Sequence, residues 1–242
     1  MCLFREPAGI VAATMREALT AVAARLLFRL LLRREPPLAM DAAKRAAFES
    51  AAAAVVTGGG GPLAWDLPYP KHEFTRYLAA HHPVLFHGTP RTGVERLEPA
   101  EQTLFDGSRA RAVFATDDGI WPIFFATIDR ARHRGPYSLR NAAMVVGRGA
   151  KERRYYLFSM DRGLRGADVR CTGEVLVLPR ATFCQTGSGG VRFPEWASDS
   201  AVTPLGRLAV GPEDFPFGGQ ISGHQLGEWF PLTWLLYRWR AR

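Results

Sequence analysis

A chain of 242 residues, 47% hydrophobic and 11% aromatic, can bury a substantial core and fits one globular unit with appendages better than two full domains. Its net charge of +8 favours phosphates, nucleic acid or acidic surfaces as partners without specifying a fold. Cys2, Cys171 and Cys184 offer neither a CxxC pair nor a disulfide framework, and the six histidines form no ligand-spaced cluster, so the reading is a cytoplasmic protein with reduced thiols and no metal.

Residues 10–34 and 41–56 have the alanine, leucine and arginine content of helices, and Pro36-Pro37 separates them. The apolar run 18–32 is interrupted by Arg25 and Arg29; it is too short to span a bilayer and lacks a signal-cleavage site. It suits an amphipathic helix resting on the protein or on a membrane surface. Met40 opens the second helical stretch, and one reading of it is a second start that sets residues 1–39 apart. Gly58 to Gly61 break the chain, and Trp65, Pro68 and Pro70 mark an extended segment. A short helix over 71–81 then delivers the chain into Val84-Leu85-Phe86-His87-Gly88-Thr89.

That apolar run is a strand ending in a histidine, a glycine and a hydroxyl. Gly88 would let a ligand approach main chain that a Cβ would block, with His87 beside it as a grip for a ribose and a carboxamide. A buried histidine before a turn is the alternative. Further strands are expected at 112–116, 142–146, 154–158, 174–178 and 208–210. A helix is expected from 119 or 121 to 132, with Trp121-Pro122 in its first turn and Phe124, Phe125 and Ile128 as its apolar stripe. The glycine-rich turn 187–190 follows later. The pattern is α+β, with split antiparallel β-sheets and a helical N-terminal extension. Walker and dinucleotide fingerprints are absent, and Ser188 in Thr-Gly-Ser-Gly-Gly lacks the strand-to-helix setting of a nucleophile elbow.

Three motifs in this order, Phe86-His87-Gly88-Thr89, Val113-Phe114-Ala115-Thr116 and Pro194-Glu195-Trp196, resemble the ADP-ribosyltransferase superfamily of the histidine, aromatic, glutamate type, in its diphtheria-toxin-like and poly(ADP-ribose) polymerase-like branches. The resemblance covers roughly residues 67–217. It implies NAD as substrate, with His87 and Gly88 orienting it, Phe114 in the aromatic slot where many relatives carry tyrosine, and Glu195 as catalytic carboxylate. Thr89, Thr116 and Arg91 complete the expected NAD contacts, with Arg109, Arg111 and the arginines of 130–134 as further pyrophosphate partners. Glu174 is the rival carboxylate. Phe193, two positions before Glu195, stands where the arginine-modifying branch usually carries glutamate or glutamine, which disfavours arginine as acceptor. The implied activity is transfer of ADP-ribose to a protein or nucleic-acid acceptor, or hydrolysis of NAD; toxin, defence enzyme and housekeeping modifier look alike at these positions.

The corresponding division is a helical extension and linker at 1–66, the ADP-ribosyltransferase-like domain at 67–217 and an aromatic, basic tail at 218–242. Three alternatives stand beside it, one of them an inactive module of this fold that binds NAD-like or ADP-ribosyl groups, favoured by Phe114 in place of tyrosine. An RNA 2′-phosphotransferase-like enzyme shares the fold and would not need the glutamate. A non-catalytic basic protein would stack nucleic-acid bases on Tyr137, Tyr155 and Tyr156, or insert Trp229, Trp234, Leu235, Leu236 and Trp239 into a membrane surface; packing of that last segment as a helix on the domain is the plainer reading.

Overall fold

The computed structural model describes residues 15–103, 109–147, 149–186 and 191–241. The chain begins with helix α1 (Met15–Leu31), strand β1 (Arg33–Arg34), and helices α2 (Ala42–Thr57) and α3 (Lys71–His81). Asp41 starts α2 by accepting a hydrogen bond from the Lys44 amide at 2.8 Å, the usual work of an N-cap carboxylate. Strands β2 (Val84–Thr89), β3 (Ala100–Thr103) and β4 (Arg109–Thr116) lead into helix α4 (Trp121–Ala126). There follow β5 (Leu139–Val146), β6 (Arg153–Asp161), helix α5 (Arg162–Gly166), β7 (Gly173–Pro179), β8 (Cys184–Gln185), β9 (Val191–Arg192), β10 (Glu195–Ser198), β11 (Gly206–Val210), β12 (Ser222–His224) and helix α6 (Phe230–Arg240).

The strands form two sheets. One runs β11-β7-β2-β4-β10-β8, with β3 added to β4; the other runs β1-β6-β5-β9, with β12 added to β6. Among the described residues the β12–β6 pair is the only parallel pairing of strands, beside an isolated parallel bridge between Pro62 and Arg207, so the chain is a mixed α and β protein built on antiparallel sheets. Period-two alternation assigns each face. Phe86, Val175, Val177 and Leu208 from one sheet meet Ala143, Tyr156, Phe158 and Met160 from the other in the central core, which α2, α3 and α4 complete. Phe124 and Phe215 lie against Phe158 there, at ring separations of 4.7 and 4.8 Å.

The opposite face of the second sheet is also covered. Ala142, Met144, Val146, Tyr155 and Leu157 pack under Phe28 and Leu32 from the N-terminal arm and under Tyr237 from α6. Adjacent Tyr155 and Tyr156 are therefore both buried, on opposite faces, and neither can stack a nucleic-acid base. The expected extension and tail are continuous with the body: Arg33 and Arg34 pair with Tyr156 and Tyr155, and β12 joins β6.

Some expectations need correction. The helix expected to reach residue 132 ends at Ala126. The Thr127 amide and hydroxyl both bond the Ile123 carbonyl, Ile128 turns into the core and bridges Arg170, and Asp129 caps a separate short turn at Arg130–Arg132. The first helix stops at Leu31 and gives way to β1; its expected beginning, from residue 10, lies outside the described residues. So do Cys2 and the glycine-rich turn 187–190 with Ser188. Cys184 is disulfide-bonded, against the expectation of free thiols, while Cys171 is a buried free thiol.

Candidate active site

Strand β2 pairs with β7 along its whole length, from Val84 to Thr89, but meets β4 only where Phe86 faces Thr116. Beyond that point the sheet splits. The edges of His87, Gly88 and Thr89 on one side and of β4 on the other open onto a cavity of about 1290 Å³. The imidazole of His87 spans the gap, its Nδ1 lying 2.8 Å from the Phe114 carbonyl oxygen. A carbonyl only accepts, so Nδ1 carries the proton and Nε2 of the neutral ring keeps its lone pair. Burial pushes the His87 pKa below the ordinary histidine value, against a smaller opposing effect of the Phe114 bond. The neutral, acceptor form is thereby maintained at physiological pH.

Glu195 enters the same cavity from the other flank of β4. Opposite Thr116 in the ladder, with Ala197 opposite Phe114, it shares a face with Phe114 as a diagonal cross-strand neighbour, roughly 7–8 Å away by sheet geometry. Two threonines fix it. Thr116 donates its hydroxyl to the Pro194 carbonyl and accepts from the Asp118 amide at 3.0 Å, tying the start of β10 to the end of β4. Thr186 donates to Glu195 Oε1 at 3.3 Å, and its amide bonds the Glu195 carbonyl at 3.1 Å. Burial raises the Glu195 pKa above the ordinary carboxylate value, and the Thr186 bond partly offsets this.

Behind this row lies a charged network that the sequence did not announce. Arg154 bonds Asp117 at 3.1 Å, Asp118 at 3.0 Å and Glu152 at 3.0 Å, and Arg192 bonds Glu152 at 2.9 Å. Tyr156 donates to Asp118 at 2.7 Å, and Trp196 donates to Asp117 at 3.2 Å. Asp118 also accepts from the Ile120 and Trp121 amides at 2.8 and 2.7 Å, which starts α4. The network clamps α4, β6, β9 and β10 around the cleft. Its signal, Asp117-Asp118 directly after a strand, was readable only as a helix start.

The expected site residues divide as follows. His87, Gly88, Thr89, Arg91, Phe114, Thr116 and Glu195 all line the cavity. Gly88 is demanded by packing: a Cβ there would lie 1.8 Å from the Pro122 carbonyl oxygen, so α4, not a ligand, occupies the space a side chain would take. The Thr89 hydroxyl accepts from the Arg91 amide at 3.2 Å, which leaves its proton as a donor. Arg91 is exposed at the rim, and Arg96 and Arg130 join it there, Arg96 being ion-paired with Glu98 at 2.8 Å. Arg109 and Arg111 do not reach the cavity lining. Glu174 braces a loop: it is buried, accepts from the Gly93 amide at 3.0 Å and is absent from the cavity wall.

Sequence reasoning missed the opposite wall, made of Trp121, Phe125, His133 and Tyr137. Trp121 is held in place by donating Nε1–H to Asn141 at 2.7 Å. The cleft thus joins a fixed imidazole acceptor, a carboxylate, aromatic surfaces and rim arginines. No protein-family model matches the chain, and no curated protein or solved structure matches it either.

Proposed function

We propose that the cleft binds NAD and breaks its nicotinamide glycosidic bond, passing ADP-ribose to a macromolecular acceptor or to water, as in ADP-ribosyltransferases. The observation that carries the reading is that His87, Phe114 and Glu195, more than a hundred positions apart at their extremes, line one cavity where the β2–β4 pairing opens. Its volume of about 1290 Å³ exceeds the ~300–1,000 Å³ typical of drug-sized ligands, leaving room for a dinucleotide.

The roles follow from the chemistry of each group. Nε2 of His87 accepts a hydrogen bond from a ribose hydroxyl, a role its fixed tautomer suits. The backbone edge at Gly88 meets the carboxamide, and the Phe114 ring stacks on nicotinamide without the hydrogen bond a tyrosine would add. Thr89 offers a hydroxyl proton, and Arg91 a cation for the pyrophosphate. Glu195 works on charge. When the bond between the anomeric carbon and nicotinamide breaks, nicotinamide leaves with the electron pair and positive charge grows on the sugar. A carboxylate held beside that sugar interacts most strongly when the charge is greatest. The acceptor then bonds the anomeric carbon and releases a proton.

The test is incubation of the full chain with NAD labelled on its adenosine half, following free nicotinamide and label retained on protein or nucleic acid. Nicotinamide release with retained label supports transfer, and release without retention supports hydrolysis. Bound NAD that remains intact would contradict an enzymatic role.

A further inference from the structure

We propose that helices α1 and α6 together form a docking face for an anionic lipid surface, independently of the cleft's chemistry. A helix on the outside of a protein normally turns a polar stripe to water. Helix α1 is apolar on both sides. Phe28 and the half-buried Leu31 face the second sheet, while Val22, Leu26 and Leu30, at successive four-residue steps, point away from it, and Leu30 is 70% exposed. Residues so spaced share one helix face.

Helix α6 repeats the arrangement. Tyr237 is buried against the sheet, whereas Leu232, Leu235 and Trp239 lie outward at three- and four-residue steps, with Trp239 67% exposed. The helices run side by side: Phe28 and Trp234 are 6.0 Å apart at their ring centres, and Arg238 donates to the Arg29 carbonyl at 2.6 Å. Both cover the same sheet face, so their outward stripes join into one apolar patch. Trp229, 72% exposed just before α6, extends it.

Charge selects the occupant. Residues 20–34 and 229–241 contain six arginines and no aspartate or glutamate. Among the described residues one of the six, Arg240, has a carboxylate partner, Glu228 at 2.8 Å. Arg33 and Arg238 donate to main-chain carbonyls, which leaves their charge uncompensated, and Arg29 and Arg34 are exposed. A second copy of the chain would bring the same cations against each other, a costly juxtaposition. A phosphate-rich bilayer complements them: leucine and tryptophan side chains enter the boundary between headgroups and acyl chains, while arginine stems lie along it with their guanidinium groups on lipid phosphates. No described helix is long and apolar enough to cross a membrane, so α1 and α6 lie on the surface.

The test is flotation of the full chain with vesicles of phosphatidylcholine alone and of phosphatidylcholine mixed with phosphatidylserine, with tryptophan emission read in parallel. The parent protein should float with the mixed vesicles, shift its emission to the blue and lose binding as salt is raised. Leu30→Glu combined with Leu235→Glu and Trp239→Glu should weaken binding at least about tenfold, with the melting transition kept. Arg29→Glu with Arg34→Glu should weaken binding to the mixed vesicles by about tenfold. If the triple variant melts early, Leu30→Glu alone makes the same comparison. Equal flotation of parent and variants, equal binding to both vesicle types, or binding to neither would overturn the proposal. A dimer in sedimentation velocity that the triple variant dissolves would assign the face to a second copy and also overturn it.

Discussion

At the scale of single residues, the cleft depends on groups whose hydrogen bonds leave one face committed and another free. His87 uses Nδ1 on Phe114 and keeps Nε2. Thr116 uses both sides of its hydroxyl, on Pro194 and on the Asp118 amide, so it is a positioning residue for Glu195 and not a ligand contact of its own. Thr116→Val should therefore lower kcat for nicotinamide release by about tenfold, as expected for loosening a preorganised carboxylate, and leave the Kd for NAD nearly unchanged. Steady-state kinetics beside direct titration of NAD checks this split; a rise in Kd with kcat intact would return Thr116 to the binding set.

At the scale of elements, the same few contacts explain which parts of the molecule the sequence made legible. Helix α3 matches its expected limits, 71–81, and β4, β5, β6, β7 and β11 all contain their expected strands, because apolar alternation and β-branched content are local signals. The motif strands were readable for the same reason. What was not readable is set by distant partners. The two-residue strands β1, β8 and β9 exist only through their pairing, and the aromatic wall of the cleft forms because α4 packs against β2. Gly88 illustrates the difference: its type was read correctly as a steric requirement, but the Pro122 carbonyl imposes it. Gly88→Ala should lower stability by about 1–3 kcal/mol or more, the cost of overpacking, measured by denaturant unfolding; a stable variant that merely lost NAD binding would restore the ligand explanation. Strand β12 carries a titration of its own. His224 is buried with Nδ1 2.7 Å from the Ser159 hydroxyl, and burial, helped by Arg140, against the opposing pull of Glu228 and Asp161, lowers its pKa from 6.5 to about 4. The unfolded chain takes up a proton below pH 6.5 that the native chain refuses until about pH 4, so this group's contribution to stability is full above pH 6.5 and is lost as the pH falls toward 4. Melting temperature against pH should show that fall in the parent and a flatter profile in His224→Gln.

At the scale of the whole molecule, the second sheet is sandwiched, and that decides the standing of the terminal segments. The extent of the sequence resemblance set residues 1–66 and 218–242 apart from the working domain. In the fold, Phe28 and Leu32 are buried on the sheet face opposite the central core, and β1 lies along β6. A chain beginning at Met40 would expose Met144, Tyr155 and Leu157, and it should melt at a lower temperature than the full chain and bind a hydrophobic dye; unchanged melting would show the N-terminal arm to be dispensable. The covering helices also separate the molecule's two surfaces of interest: an apolar, arginine-bearing outer face and a cleft at the split in the other sheet. The proposed function rests on the cleft, where the carboxylate of Glu195 and the imidazole of His87 would act on one NAD molecule. Its most direct test is Glu195→Gln, with nicotinamide release and NAD affinity measured on the same preparation. The expected result is a Kd close to that of the parent and a turnover lower by about 10²–10³; a variant as active as the parent would rule out Glu195 as the catalytic carboxylate.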